Sequence, residues 1–163
     1  MEIKKAGIDD IETIQKLAAD VWPVAYKDIL STAQLNYMLQ KFYSVNALQD
    51  QILTKGHQFY LLIDDNSIKI GFASVSEESM DTFKLQKLYV LPKQQGKSFG
   101  KILLNEVISY CRAKGGKSII LNVNRHNKAR FFYEKCSFRI IKEVDISIGD
   151  DYFMNDYVME LNL

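Results

Sequence analysis

The stretch FKLQKLYVLPKQQGKSFGKILLNEVISY, Phe83 to Tyr110, decides how the chain folds. Phe83, Leu85, Tyr89 and Leu91 recur at every second position, interrupted by Lys87, with Leu88 and Val90 apolar on the opposite face. This pattern predicts a strand buried largely on both sides. Pro92 removes a backbone donor and ends it. Beyond a basic loop, Phe99, Ile102, Leu103, Val107 and Tyr110 fall at helical spacing, so the unit reads strand, loop, helix.

The loop carries the first chemical signal. In Gln94-Gln95-Gly96-Lys97-Ser98-Phe99-Gly100 two glycines let the backbone approach a ligand, and the helix start leaves several N–H groups without partners. Together with Lys93, Lys97 and Lys101 and the positive helix end, they favour a polyphosphate. The same lysines would otherwise be an ordinary solvated charge run. A nucleotide-hydrolysing P-loop requires a glycine five residues before Gly96, where Leu91 stands. A dinucleotide fingerprint is excluded too, because no G-x-G-x-x-G occurs.

The chain has 163 residues, of which 47% are hydrophobic, enough for one domain with a real core. Its 21 Lys and Arg nearly balance 20 Asp and Glu, so no global field recruits nucleic acid or an anionic membrane. Cys111 and Cys136 stand far apart without a C-x-x-C, and no secretory leader is recognisable, so free thiols in the cytoplasm are expected. No apolar run approaches the ~18 residues of a membrane helix.

Working outward, Met1 to Ala6 reads as a short edge strand, followed by a helix capped by Asp9 or Asp10 and ending near Trp22-Pro23. Ser31 with Gln34 forms a capping-box start for a second helix, and Ser44 opens a third that Gly56 closes. Trp22, Tyr26, Tyr37, Phe42 and Tyr43 either line one wall of a substrate cleft or, on the plainer reading, pack the core. Phe59 to Ile63 and Ile68 to Val75 form a hairpin across Asp64-Asp65-Asn66-Ser67. After the central unit come a strand at Ser118 to Val123, a short helix with Ala129, Phe132 and Tyr133 on one side, and closing strands at Ile140 to Ile146 and Tyr157 to Leu161 around Gly149-Asp150-Asp151. The expected fold is α/β (α+β), a single domain over residues 1–163 with a mixed, mostly antiparallel sheet of about seven strands flanked by four or five helices.

Gln95-Gly96-Lys97-Ser98-Phe99-Gly100 resembles the acetyl-CoA loop Q/R-x-x-G-x-G/A of the GCN5-related N-acetyltransferase (GNAT) family, with Ser98 in place of the first glycine of the pair. Asn127-Lys128-Ala129-Arg130-Phe131-Phe132-Tyr133-Glu134-Lys135-Cys136-Ser137-Phe138 is similar to a second signature of that family, N-x-x-A-x-x-F-Y-E-K-x-G-F. The two stand in the family's order, each flanked by the expected strand and helix. Trp22 to Leu39 and the ending from Gly149 also resemble the subgroup of PaiA polyamine acetyltransferases.

The resemblance implies an acetyl-CoA-dependent N-acetyltransferase that acts on a primary amine by direct transfer, without a metal. A small amine or polyamine is the expected acceptor; a protein N-terminus, a lysine or an amino sugar is the wider range, and a homodimer is a possible assembly. It assigns the backbone of Leu88, Tyr89 and Val90 to the acetyl-pantetheine arm. Gln95, Gly96, Lys97, Ser98, Phe99, Gly100 and Lys101 go to the pyrophosphate, and Asn127 and Arg130 to further cofactor contacts. Tyr133 becomes the general acid that protonates the departing thiolate, and an N–H of Tyr89 or Val90 the oxyanion donor. His126 reads as an exposed loop residue.

Where relatives carry strand glutamates this chain has Lys84 and Gln86, which leaves the base unassigned; Glu77, Glu78 and Asp81 could face the acceptor but read more plainly as solvated loop residues. The acidic loops Glu77 to Asp81 and Asp150 to Asp156 could attract a cation or be ordinary exposed hairpin acids. The rival reading is a non-catalytic acyl-CoA-binding regulatory module. Ser137 replaces the turn glycine before Phe138.

Overall fold

The computed structural model describes residues 1–163. Seven strands form one sheet in the order β1-β2-β3-β4-β5-β7-β6. They are β1 (Glu2–Ala6), β2 (Gln58–Ile63), β3 (Lys69–Glu77), β4 (Thr82–Val90), β5 (Ser118–Asn124), β6 (Arg139–Gly149) and β7 (Tyr152–Asn162). Five α-helices accompany them: α1 (Ile11–Ala25), α2 (Thr32–Tyr43), α3 (Val45–Leu53), α4 (Phe99–Ala113) and α5 (Ala129–Lys135). All neighbouring pairs are antiparallel except β4 with β5, which α4 connects as a crossover. The mixed, mostly antiparallel sheet matches the expected fold class.

Side-chain caps fix the helical layer. Ser31 Oγ accepts from the Gln34 N–H at 3.1 Å and Ser44 Oγ from the Ala47 N–H at 3.2 Å, which sets where α2 and α3 begin. Pro23 does not end α1 but sits in its last turn, three residues inside the Tyr26 cap. The closing strands are longer than expected because Asp150 and Asp151 both take positive φ, at 50° and 58°. That two-residue connection matches strand twist and lets β6 and β7 pair almost throughout.

The sheet separates two cores. One, of 18 buried residues, lies under α4 and α5 and includes Phe83, Leu85, Val90, Leu103, Val107 and Tyr133. The other, of 13, lies under α1 to α3 and includes Ile14, Trp22, Tyr43, Phe59 and Phe72. The single alternation expected along β4, with Phe83, Leu85, Tyr89 and Leu91 on one face, is corrected here. Val75 pairs with Leu85 but Ser74 pairs with Lys87, so Gln86 is a bulge without a partner. Because side chains alternate with period two, one extra residue exchanges the faces. Phe83 and Leu85 therefore pack under α4, whereas Lys87 and Tyr89 point toward α1 to α3.

Candidate active site

β4 and β5 pair only from Thr82–Ser118 to Leu85–Leu121 and then diverge. The divergence opens a cavity of about 60 Å³ walled by Leu85 to Tyr89, Leu121 to Val123, Tyr26, Asn127, Ala129 and Tyr133. The Leu91 N–H donates to Ile70 O at 2.9 Å, which fixes the parity of the β3–β4 ladder. By alternation Tyr89 exchanges its backbone bonds with Phe72, and the amides of Leu88 and Val90 face the opening. Of the two expected oxyanion donors, Tyr89 thus spends its N–H within the sheet and Val90 keeps its own free. An extended arm laid along this edge would complete the ladder that β5 abandons.

Just beyond β4 the chain makes a single 3₁₀ turn at Pro92–Gln94, and Gly96 at φ +79° and Ser98 at φ 64° turn it into α4. Consecutive amides from Gly96 through Lys101 donate to no acceptor in the protein, the first bonded amide in α4 being Ile102, to Ser98 O at 3.1 Å. This is a concave row of donors at the positive end of a 15-residue helix. A pyrophosphate fits it by charge and donor geometry. Gln95 ties the loop to the strand, its Nε2 donating to Val90 O at 3.2 Å. Lys97 Nζ donates to Gln94 Oε1 at 3.0 Å, and Lys97, Ser98 and Lys101 are exposed at the rim. Phe99 is half-buried against the α4 core, and Gly100 approaches the Phe132 ring.

Asn127 Oδ1 accepts from the Ala129 N–H at 2.8 Å and so starts α5, with its side chain in the wall of the opening. Tyr133, one turn on, is buried and lines the same cavity. Burial pushes its phenol up, so it holds its proton throughout the physiological range. Arg130 lies elsewhere: its guanidinium stacks over Phe131 and Tyr157 and reaches Glu134, outside both cavity walls. His126 is exposed. Glu77, Glu78 and Asp81 sit at the β3–β4 turn, at the opposite end of β4 from the opening.

A second cavity, of about 190 Å³, lies against the first. Tyr26, Leu85, Gln86, Lys87, Tyr89 and Asn122 belong to both walls. Trp22, Phe42 and Tyr43 complete the aromatic side while Trp22 and Tyr43 also belong to the core under α1 to α3, so packing and cavity lining coincide, whereas Tyr37 turns away to Ile148 O at 2.6 Å. The Trp22 ring stands 4.7, 5.4 and 5.9 Å from those of Tyr26, Tyr43 and Tyr89, and the hydroxyls of Tyr26 and Tyr89 share a hydrogen bond of 3.0 Å. Phe153 and Met154 close the far side, where the β6–β7 hairpin is pinned to α2 by Gln34 Nε2 on Phe153 O at 2.9 Å.

Two polar residues here are buried where the sequence suggested exposure or a simple break in pattern. Lys87, only 9% exposed, donates to Gln51 Oε1 at 2.6 Å and lies 5.4 and 5.6 Å from the Tyr43 and Phe59 ring centres. Burial pulls its ammonium down to about 7. Asp156 is 6% exposed, and burial pushes its carboxyl up. The lysine's signal was the break it makes in the β4 alternation; the aspartate's was lost among neighbouring acids that are exposed.

Residues 26–149 match the acetyltransferase (GNAT) domain. The chain belongs to the GNAT family of acetyltransferases. It is similar to a spermidine N(1)-acetyltransferase of Thermoplasma acidophilum, at 29% identity over 94% of this chain and 95% of that one. A [ribosomal protein bS18]-alanine N-acetyltransferase of Haemophilus influenzae is 42% identical over 52% of this chain, a match spanning 55% of that protein's length. Among solved structures, the PaiA N-acetyltransferase of Thermoplasma acidophilum in complex with coenzyme A superposes with a TM-score of 0.84, at 28% identity over 99% of this chain and 98% of that one. This GNAT chain has no helix long and apolar enough to cross a membrane.

Proposed function

We propose that this chain transfers the acetyl group of acetyl-CoA to the primary amine of a small, amine-bearing molecule, with polyamines the leading class. The observation that carries the reading is the pair of cavities with one shared wall: one lies at the free strand amides of β4, the other is a larger, largely aromatic cleft. Acetyl-CoA supplies an acyl group already activated as a thioester. The amides of Gly96 to Lys101 would hold its pyrophosphate, and those of Leu88 and Val90 would align its arm. The free N–H of Val90 would stabilise negative charge on the acyl carbonyl oxygen, and Tyr133 O–H would deliver a proton to the leaving sulfur. The chamber's size and its hairpin wall suit a small amine better than a folded protein's N-terminus, and the spermidine-acetylating relative supports the same acceptor class.

Replacing Tyr133 with Phe tests the assignment. Turnover should fall by about 100-fold or more, the usual scale for a lost general acid, with coenzyme A affinity nearly kept. An unchanged rate would remove Tyr133 from the chemistry. Absence of acetyl-CoA-dependent thiol release with every amine, in protein that binds coenzyme A, would favour the non-catalytic module.

A further inference from the structure

The chamber beside the thioester cavity contains one acidic side chain, Asp156 of β7. Its partners define an unfinished site. Asn122 Nδ2 approaches Oδ2 at 3.4 Å, a long hydrogen bond, and no cation pairs with the carboxylate. Arg125 is committed elsewhere: it donates to the backbone oxygens of Asp156 and Val144 and pairs with the carboxylates of Glu143 and Asp145, while Lys84 acts on Asp156 from across the wall without forming an ion pair. A carboxylate buried to this degree with one weak partner is costly unless a cation completes it.

The surroundings specify that cation. Trp22, Tyr26, Phe42, Tyr43, Tyr89 and Phe153 give the chamber walls that suit methylene groups and a cation against ring faces. Asn122, which touches Asp156, also belongs to the thioester cavity, so a group bound at the carboxylate lies next to the acyl-transfer opening. The other charged residues of the wall are Lys84 and Lys87, both from β4. Lys87 is already engaged by Gln51. These two lysines disfavour a second cation deep in the chamber, so a polycation would enter by one end with its other charges outside.

We infer that Asp156 is the acceptor-ammonium site, binding one terminal alkylammonium group of the amine whose methylene chain lies along the Trp22, Tyr43 and Phe42 wall. The inference rests on the amine-acetylating reading and names its selecting residue. Amine affinity should rise with pH as the Asp156 carboxyl ionises, since only the carboxylate attracts the ammonium; Lys84, Lys87, Arg125 and the Tyr26 hydroxyl are the other titratable groups that face it.

The test is calorimetric titration of the coenzyme A-loaded protein with putrescine and, separately, with 1,4-butanediol, its neutral analogue. Putrescine should bind at least about 10-fold tighter than the diol, the scale of a charge-assisted hydrogen bond in a partly dry site. Asp156→Asn should abolish that preference while coenzyme A affinity stays within about twofold, since no part of the cofactor loop changes. Equal binding of diamine and diol to the unaltered protein overturns the inference without any variant, as does a retained preference in Asp156→Asn. Thiol release read in parallel separates the two ideas. Tight, Asp156-dependent diamine binding without turnover breaks the proposed activity alone; turnover with an unchanged KM in Asp156→Asn breaks the ammonium site alone.

Discussion

The cofactor side and the acceptor side of β4 are built by opposite means. The proposed cofactor side is a continuous run of chain: residues 86–101 supply the strand edge, the turn and the donor row, and the groups that would face the ligand are mostly backbone. The acceptor side collects Trp22, Tyr26, Tyr43, Lys87, Asn122 and Asp156 from α1, α2, β4, β5, β7 and the turn after α1, and it works through side chains. Backbone chemistry demands glycines and turns at fixed spacing, which leave a local signature. Side-chain chemistry assembled across the fold leaves none.

The sharpest test of this difference is in the side-chain half. The double variant Lys87→Met/Gln51→Leu replaces a buried ammonium and its carbonyl partner with apolar groups, and, less the lost Gln51 Nε2 bond to Phe42 O, it should stabilise the protein at neutral pH by about 1 to 4 kcal/mol. The pH dependence has a defined sign. With Lys87 lowered in the fold from 10.5 to about 7, the unfolded chain binds more protons between those values, so the native protein gains stability as pH rises through that window. Thermal melts from pH 7 to 10 should show this gain and its loss in the double variant. A variant that melts lower at every pH would mean the Lys87–Gln51 pair is net stabilising.

The backbone half should break differently. Gly96 holds φ +79°, which a β-branched side chain adopts only under strain, so Gly96→Val should weaken coenzyme A binding by about 10-fold or more while leaving amine binding to the loaded protein unchanged. Calorimetric titration of each ligand reads the two effects apart. The smallest change expected is at Ser98, also left-handed at φ 64°. Ser98→Gly should relieve about 1 kcal/mol of strain, largely offset by the freer unfolded chain, and leave coenzyme A affinity within about twofold. A marked loss of affinity would instead give the Ser98 hydroxyl a direct part in binding.

The legibility of the sequence follows the same division. The strand, loop and helix from Phe83 to Tyr110, the seven strands and the Asn127 turn that leads into α5 were readable because periodicity and caps are local. The extent of β6 and β7 was underestimated, since nothing short of the positive φ at Asp150 and Asp151 reveals how tight their turn is. Asp156 was one acid among several, and its place between Asn124 of β5 and Val144 of β6 buries it while Asp150 and Asp151 stay exposed. Arg130 stands at its motif position on α5, and the rings of Phe131 and Tyr157 under its guanidinium could not be read from the motif.

The bulge at Gln86 limits how this chain can vary in length. Upstream of it odd-numbered residues fill the α4 core; downstream even-numbered ones do, and the odd ones serve the chamber. Removing Gln86 while keeping everything before it in register would turn Lys87 and Tyr89 into the apolar α4 core and Leu88 and Val90 toward the chamber. The strand can therefore exchange many side chains, yet between Leu85 and Pro92 it can neither lose nor gain a single residue without turning both of its functional faces inside out.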